Sequence, residues 1–127
     1  MKIAHVALWT TQLDAHLQFW QSYFSARANE KYISKNNPGF ESYFLSLEQG
    51  ATLEVMTKPG LSKVRPDNAT TGWGHIAISL GSNRQVDALA QRAQEQGILI
   101  AAPRYTGDGY YEAIIADPDG NYIEIVA

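Results

Sequence analysis

Apolar and polar positions alternate along the chain in blocks that predict short strands separated by two amphipathic helices. Ile3 to Trp9 alternates with period two and predicts a strand. Thr11, followed by Asp14, predicts a helix N-cap. Leu13, Leu17, Trp20 and Phe24 then recur at helical spacing and form one apolar stripe. Three further strands are predicted near 29–35, 40–47 and 51–57, with a turn at Pro38-Gly39. Lys58 to Gly72, rich in Pro, Gly, Asp and Asn, predicts a loop. The pattern then starts again. Trp73 to Leu80 is the strand, Ser82 and Gln85 form a capping box, and Val86, Leu89, Ala90 and Ala93 make the stripe. Gly97 stops that helix, and strands follow near 98–104, 111–117 and 121–126. The last two are joined by Asp117-Pro118-Asp119-Gly120-Asn121, a strong hairpin-turn signal.

The two halves also repeat in residue identity. HVAL begins at His5 and HIAI at His75; LEVM covers Leu53–Met56 and IEIV covers Ile123–Val126. The offsets agree, since 75 − 5 = 70 and 124 − 54 = 70, and His and Glu stand 49 residues apart in both halves. Each half therefore reads as a βαβββ module: module one at 3–57, a linker at 58–72, and module two at 73–127, within one domain spanning 1–127. The fold class is α+β. A single module leaves one sheet face open to water. Two modules side by side are expected to cup a mixed sheet around a shared cavity, with the helices outside.

Strand periodicity assigns the faces. Ala4, Val6 and Leu8 suit the helix-packed side of the first strand, leaving His5, Ala7 and Trp9 opposite. Leu53 and Val55 are core, and Thr52, Glu54 and Met56 are opposite. Ile76, Ile78 and Leu80 go to the helix, while Trp73, His75, Ala77 and Ser79 face away. Ile123 and Ile125 are core, and Tyr122, Glu124 and Val126 are opposite. His5, Glu54, His75 and Glu124 thus all point to the inner side of their sheets, each within an otherwise hydrophobic strand. An unpaired carboxylate there is costly to bury. A divalent cation removes the cost, with neutral imidazoles and ionised carboxylates as its ligands. Each residue alone reads more readily as a structural histidine or a solvated strand glutamate than as a ligand; the twofold repetition of the same pair favours the metal.

Composition works by exclusion. The chain has 127 residues, 45% of them hydrophobic and 18% charged, which describes a folded globular protein. The net charge is −3 and no long basic run occurs, so nucleic acid is not an expected partner. No apolar stretch reaches 18 residues, so no membrane-spanning segment is expected, and MKIAHVALWTT lacks the features of a secretory signal. A cytoplasmic protein is the expectation. With no cysteine, any metal must be held by His and carboxylates.

Other positions carry weaker signals. His16, among Gln12, Asp14 and Gln18, reads as part of a solvated helix face. Asp117 and Asp119 read as turn-setting residues. The stretch Thr106 to Glu112 reads either as a plain surface loop or as a glycine-rich segment bringing Tyr111 or Glu112 to the cavity. Trp9, Met56 and Trp73 read either as a substrate wall or as ordinary core at the module junction.

Two βαβββ modules bearing H-[VI]-A and [LI]-E-[VI], with the ending D-P-D-G-N-x-I-E-I, resemble the vicinal oxygen chelate superfamily over essentially the whole chain. That superfamily includes glyoxalase I, fosfomycin-resistance proteins, extradiol dioxygenases and bleomycin-resistance proteins. Glyoxalase I takes a His and a Glu from each module, and His5, Glu54, His75 and Glu124 match those positions. The resemblance thus implies one divalent metal (Ni, Co, Zn or Mn) and a lyase or isomerase acting on a hemithioacetal or similar small carbonyl substrate. It implies Glu124 as the catalytic base, with Glu54 the carboxylate on the other side, and a homodimer. Two features depart from bacterial glyoxalase I. Trp9 stands where an Arg holds the glutathione carboxylate, and Lys58 stands where an Asn is expected. Arg104 and Lys58 are candidates to hold a different anion, and Trp9, Met56, Trp73, Arg104, Tyr111 and Glu112 are the candidate substrate-pocket residues. The competing readings are a protein that sequesters a drug-like or aromatic ligand and a fosfomycin-type thiol transferase.

Overall fold

The computed structural model describes residues 2–62 and 71–127. The connecting loop expected over 58–72 falls in part on residues 63–70, outside the described residues. The chain forms two compact units, Met1–Val64 and Arg65–Ala127.

In the first unit, β1 (His5–Trp9) leads into α1 (Leu13–Phe24), followed by β2 (Arg27–Ala28), β3 (Tyr32–Ile33), β4 (Glu41–Ser46) and β5 (Thr52–Thr57). The sheet order is β1-β5-β4-β2, with β3 also paired to β4. β1 runs parallel to β5, and β4 and β5 are antiparallel neighbours. The strand expected near 29–35 is instead two short pieces, β2 and β3, on either side of a break. Asn29 occupies that break: its backbone N–H and side-chain carbonyl both bond to the Phe44 backbone, at 3.1 and 2.7 Å.

The second unit contains β6 (Ile76–Ser79), α2 (Asn83–Glu95), β7 (Leu99–Tyr105), β8 (Tyr111–Ala116) and β9 (Tyr122–Val126). Its order is β6-β9-β8-β7, with β6 parallel to β9 and the remaining neighbours antiparallel. The strand expected from Trp73 begins only at Ile76, so His75 immediately precedes it. The 117–121 hairpin turn is pinned by Asp117, whose carboxylate accepts from the Asp119 and Asn121 backbone and from the Asn121 side chain.

The repeat persists in the hydrogen-bonded ladders. Ala7 lies opposite Glu54 and Ala77 opposite Glu124; Phe44 lies opposite Glu54 and Ile114 opposite Glu124. Every central pairing is reproduced 70 residues later. The equivalence fails at the outer strand. β7 is continuous but carries two register irregularities, which set Arg104 opposite Glu112, whereas Tyr32 stands opposite Ser42 in the first unit.

The helices cover one face of each sheet. Leu53 and Val55 in the first unit, and Ala113, Ile115, Ile123 and Ile125 in the second, are buried there. α2 begins as expected, with the Ser82 hydroxyl accepting from the Gln85 N–H, and Gly97 follows its end at φ +72°. Val86, Ala90 and Ala93 are buried along it, while Leu89 is only half-buried.

α1 departs from the sequence reading in two ways. Its N-cap is Gln12 rather than Thr11, and no side-chain cap is made; the buried Thr10 hydroxyl instead accepts from the Gln12 N–H at 2.8 Å. His16 is not on a solvated face but fully buried, with Leu13, Phe19 and Trp20. The stripe is rotated by about one residue, so Leu17 and Phe24 become half-buried flanks. The large Phe19 and Trp20 rings, in edge contact at 5.6 Å, set the helix phase, and His16 lies one turn before Trp20 on that face. Among the described residues, no helix is long and apolar enough to cross a membrane.

Candidate metal centre

Each unit brings one imidazole and one carboxylate together on the sheet face opposite its helix. In the first, His5 Nε2 lies 3.9 Å from Glu54 Oε2. In the second, His75 Nε2 lies 3.2 Å from Glu124 Oε2. Burial is matched as well: the imidazoles are about half exposed, and the carboxylates are 15% and 16% exposed. The parallel pairing of first and last strands produces this geometry. It sets Glu54 opposite Ala7, two residues from His5 on the same strand face, and repeats the arrangement for Glu124, Ala77 and His75. Among the described residues, no group of three or more His, Asp and Glu is gathered that could hold a metal ion. Each unit therefore carries a single His–Glu pair.

The surroundings of the two pairs differ. His5 packs edge-on against Phe44, with ring centroids 5.7 Å apart. Trp9 and Met56 lie opposite each other on the face that carries His5 and Glu54. Trp9 packs edge-on to Phe40, and the Lys58 ammonium sits 4.4 Å from the Trp9 ring centroid. Trp9 therefore forms an exposed aromatic surface with a cation on it. Trp73 is exposed, and its side chain carries no core.

In the second unit, Arg104 Nη2 lies 3.0 Å from Glu112 Oε1. Glu112 is buried and shares its sheet face with Glu124, a diagonal neighbour on β9. Burial raises the Glu112 pKa above its ordinary value, the neighbouring Glu124 raises it further, and Arg104 opposes them. Tyr111 does not share this face. Its hydroxyl donates to Asp87 of α2 at 2.6 Å, which fixes it on the helix-packed side. Tyr111 alternates with Glu112 along β8, so only one of the two can face Glu124. The segment 106–110 is a closed turn, with the Thr106 N–H bonded to the Tyr110 carbonyl and Gly109 at φ +91°. Sequence reasoning missed that Glu112 and Glu124 are neighbours on one sheet face. The signal was present in the hairpin turn at 117–121, whose register sets Glu112 opposite Val126, two residues from Glu124.

The family model described as the Glyoxalase/Bleomycin resistance protein/Dioxygenase superfamily matches residues 2–125. The chain belongs to this superfamily. A glyoxylase/bleomycin resistance protein/dioxygenase domain from Frankia sp. EAN1pec superposes with a TM-score of 0.84 at 16% identity, covering 99% of this chain and 96% of that one. Glyoxalase I from Zea mays superposes at 0.79 with 22% identity, and this chain spans 44% of its length. Lactoylglutathione lyase from Agrobacterium tumefaciens gives 0.67 at 21% identity, covering 98% of this chain and 91% of that one. These likenesses establish the fold. In sequence, the chain is 31% identical over 132 residues to the uncharacterized protein PA2024 of Pseudomonas aeruginosa, covering 96% of this chain and 85% of that protein.

Proposed function

We propose that this superfamily member is a metal-dependent lyase or isomerase of the glyoxalase I type, acting on a hemithioacetal or a similar small carbonyl substrate. The observation that carries the reading is the recurrence of one His–Glu pair, in the same register and at the same burial, on both units. Two imidazole nitrogens and two carboxylates form a donor set suited to one Ni, Co, Zn or Mn ion. His5, Glu54, His75 and Glu124 would hold it once both units, from one chain or from two copies, contribute to one site. We also propose a homodimer, on membership of the superfamily alone, and a cytoplasmic location.

A bound divalent ion would supply Lewis acidity, stabilising the negative charge that develops on adjacent substrate oxygens. The chain's own part is proton transfer. Glu124 removes the proton from the carbon beside the carbonyl and returns it to the former carbonyl carbon, while the hydroxyl proton passes to the adjacent oxygen, so that the hemithioacetal becomes a 2-hydroxyacyl thioester. Glu54 is the carboxylate on the opposite side. Trp9, with Lys58 on its face, gives a flat apolar wall and a positive charge for the thiol part of the substrate. No guanidinium stands at Trp9, so the thiol is expected to differ from glutathione.

The test is metal analysis of the purified protein, followed by assay of methylglyoxal with a panel of thiols. Stoichiometric metal, lost in Glu124→Gln, together with thioester formation from at least one thiol, is the expected result. Bound metal without turnover on any thiol removes the glyoxalase assignment. Metal-free, folded protein that binds aromatic ligands through Trp9 and Lys58 favours the second reading, a sequestering protein.

A further inference from the structure

The row of side chains beside the His–Glu pair is aromatic in the first unit and ionic in the second. Across four strands, Trp9 lies opposite Met56, Met56 opposite Ser42, and Ser42 opposite Tyr32. In the second unit the same row runs Ser79, Val126, Glu112 and Arg104. The ladder therefore forms there without a ring, so the fold itself does not call for the aromatics of the first unit. Nor are they core: Trp9 and Tyr32 are 43% and 52% exposed. Phe40 stands between them, edge-on to Trp9 at 5.9 Å and to Tyr32 at 6.2 Å. Three rings in contact, two of them open to water, make an apolar patch of the kind that marks a binding surface. A cation sits on it, the Lys58 ammonium 4.4 Å from the Trp9 ring centroid. The next residue, Pro59, packs against Gly39, where a Cβ would stand 2.6 Å from Pro59 Cγ. That contact ties the end of β5 to the turn before β4 and keeps Lys58 beside Trp9. Among the described residues, no carboxylate pairs with Lys58.

We propose that Trp9, Phe40, Tyr32 and Lys58 form a subsite for a planar aromatic group bearing an anionic substituent, with the ring on the aromatic side chains and the charge against the ammonium. A ligand ring covers this patch with flat apolar area at little conformational cost. An anion gives Lys58 the partner that the chain itself does not supply. A neutral aliphatic ligand would use neither feature. The subsite adjoins the first His–Glu pair, since Trp9 is four residues along β1 from His5 and Met56 is two along β5 from Glu54. As the seat of the non-reacting part of the substrate it rests on the proposed function, and it narrows the thiol to one carrying an aromatic anion. As a binding surface it stands without that reading.

Binding is measured on chelator-treated protein by NMR titration with benzoate, the neutral benzamide and the non-aromatic anion cyclohexanecarboxylate. Benzoate is expected to bind, with benzamide and cyclohexanecarboxylate each about 3–5-fold weaker. Trp9→Ala should weaken benzoate ~10-fold. Lys58→Met should make benzoate and benzamide bind alike. Tyr110→Ala, which removes an exposed ring of the second unit, should change nothing. Failure of benzoate to bind wild type overturns the proposal, as does equal affinity for cyclohexanecarboxylate or an equal loss in Tyr110→Ala. So does a wild-type dimer that sedimentation velocity finds dissociated in Trp9→Ala, because a second copy then covers the patch. The kinetic test adds (mercaptomethyl)benzoate to the thiol panel. Its hemithioacetal should have a lower KM than that of mercaptoethanol, and Lys58→Met should raise this KM with kcat little changed. A KM that Lys58→Met leaves unaltered overturns the assignment. If no thiol is turned over, the functional reading fails on its own account, and the titrations alone decide this proposal.

Discussion

His75 and Glu124, 49 residues apart in the chain, meet with Nε2 and Oε2 3.2 Å apart across parallel strands. Their counterparts His5 and Glu54 lie slightly farther apart at 3.9 Å. If the pairs share one cation, saturating metal stabilises the folded protein by mass action, about 2.7 kcal/mol at a hundredfold excess over Kd. Thermal unfolding with and without cobalt or nickel should show a rise in Tm that chelator reverses. His5→Ala and His75→Ala should each abolish it. A rise surviving either substitution would place the metal elsewhere.

Ser25 ends α1 in the left-handed region at φ 52°, its N–H bonded to the Gln21 carbonyl and the following Ala26 N–H to that of Trp20. It is the one non-glycine residue at positive φ among the described residues. That conformation costs an L-residue about 1–2 kcal/mol, partly offset by glycine's greater unfolded-state entropy. Ser25→Gly should therefore stabilise by roughly 0.5–1 kcal/mol, read as a higher urea midpoint at unchanged m. A lower midpoint would mean that the serine side chain contributes something the backbone argument omits.

Gly39 and Gly50 both lie at positive φ, +83° and +96°, but only Gly39 is crowded: a Cβ there would stand 2.6 Å from Pro59 Cγ. Gly50→Ala should cost about 1–2 kcal/mol from backbone strain alone. Gly39→Ala should cost more, because a rigid pyrrolidine must move as well. Equal urea midpoints for the two variants would refute the steric part of the argument.

The Tyr111 hydroxyl donates to Asp87, and this hydrogen bond, followed by burial, raises its pKa above the ordinary tyrosine value. A raised pKa means that the folded state holds the proton more tightly than the unfolded one. The stabilisation is fully present below the unfolded phenol's pKa, about 10, and is lost as pH rises through the folded value. Asp87→Asn should bring Tyr111 back toward ordinary titration, seen in tyrosinate absorbance or NMR. It should also flatten the alkaline decline in stability. An unchanged titration would show that Asp87 does not hold the phenol.

Much of the architecture was legible without coordinates because it depends on local periodicity. Alternation located the central strands and chose their faces; the 70-residue echo paired His5 with Glu54 and His75 with Glu124. Ser82 and Asp117 behave as their chemistry dictates, since capping and Asx turns depend on neighbours a few residues away.

What the chain alone left open depends on contacts between distant segments. The phase of α1 was decided by packing of Phe19 and Trp20, which buried His16 despite its polar neighbours. The irregularities of β7 brought Arg104 opposite Glu112, and Asp87 drew Tyr111 to the helix side. Periodicity fixes which face a side chain takes within its own element; only the folded register determines which distant group it meets there.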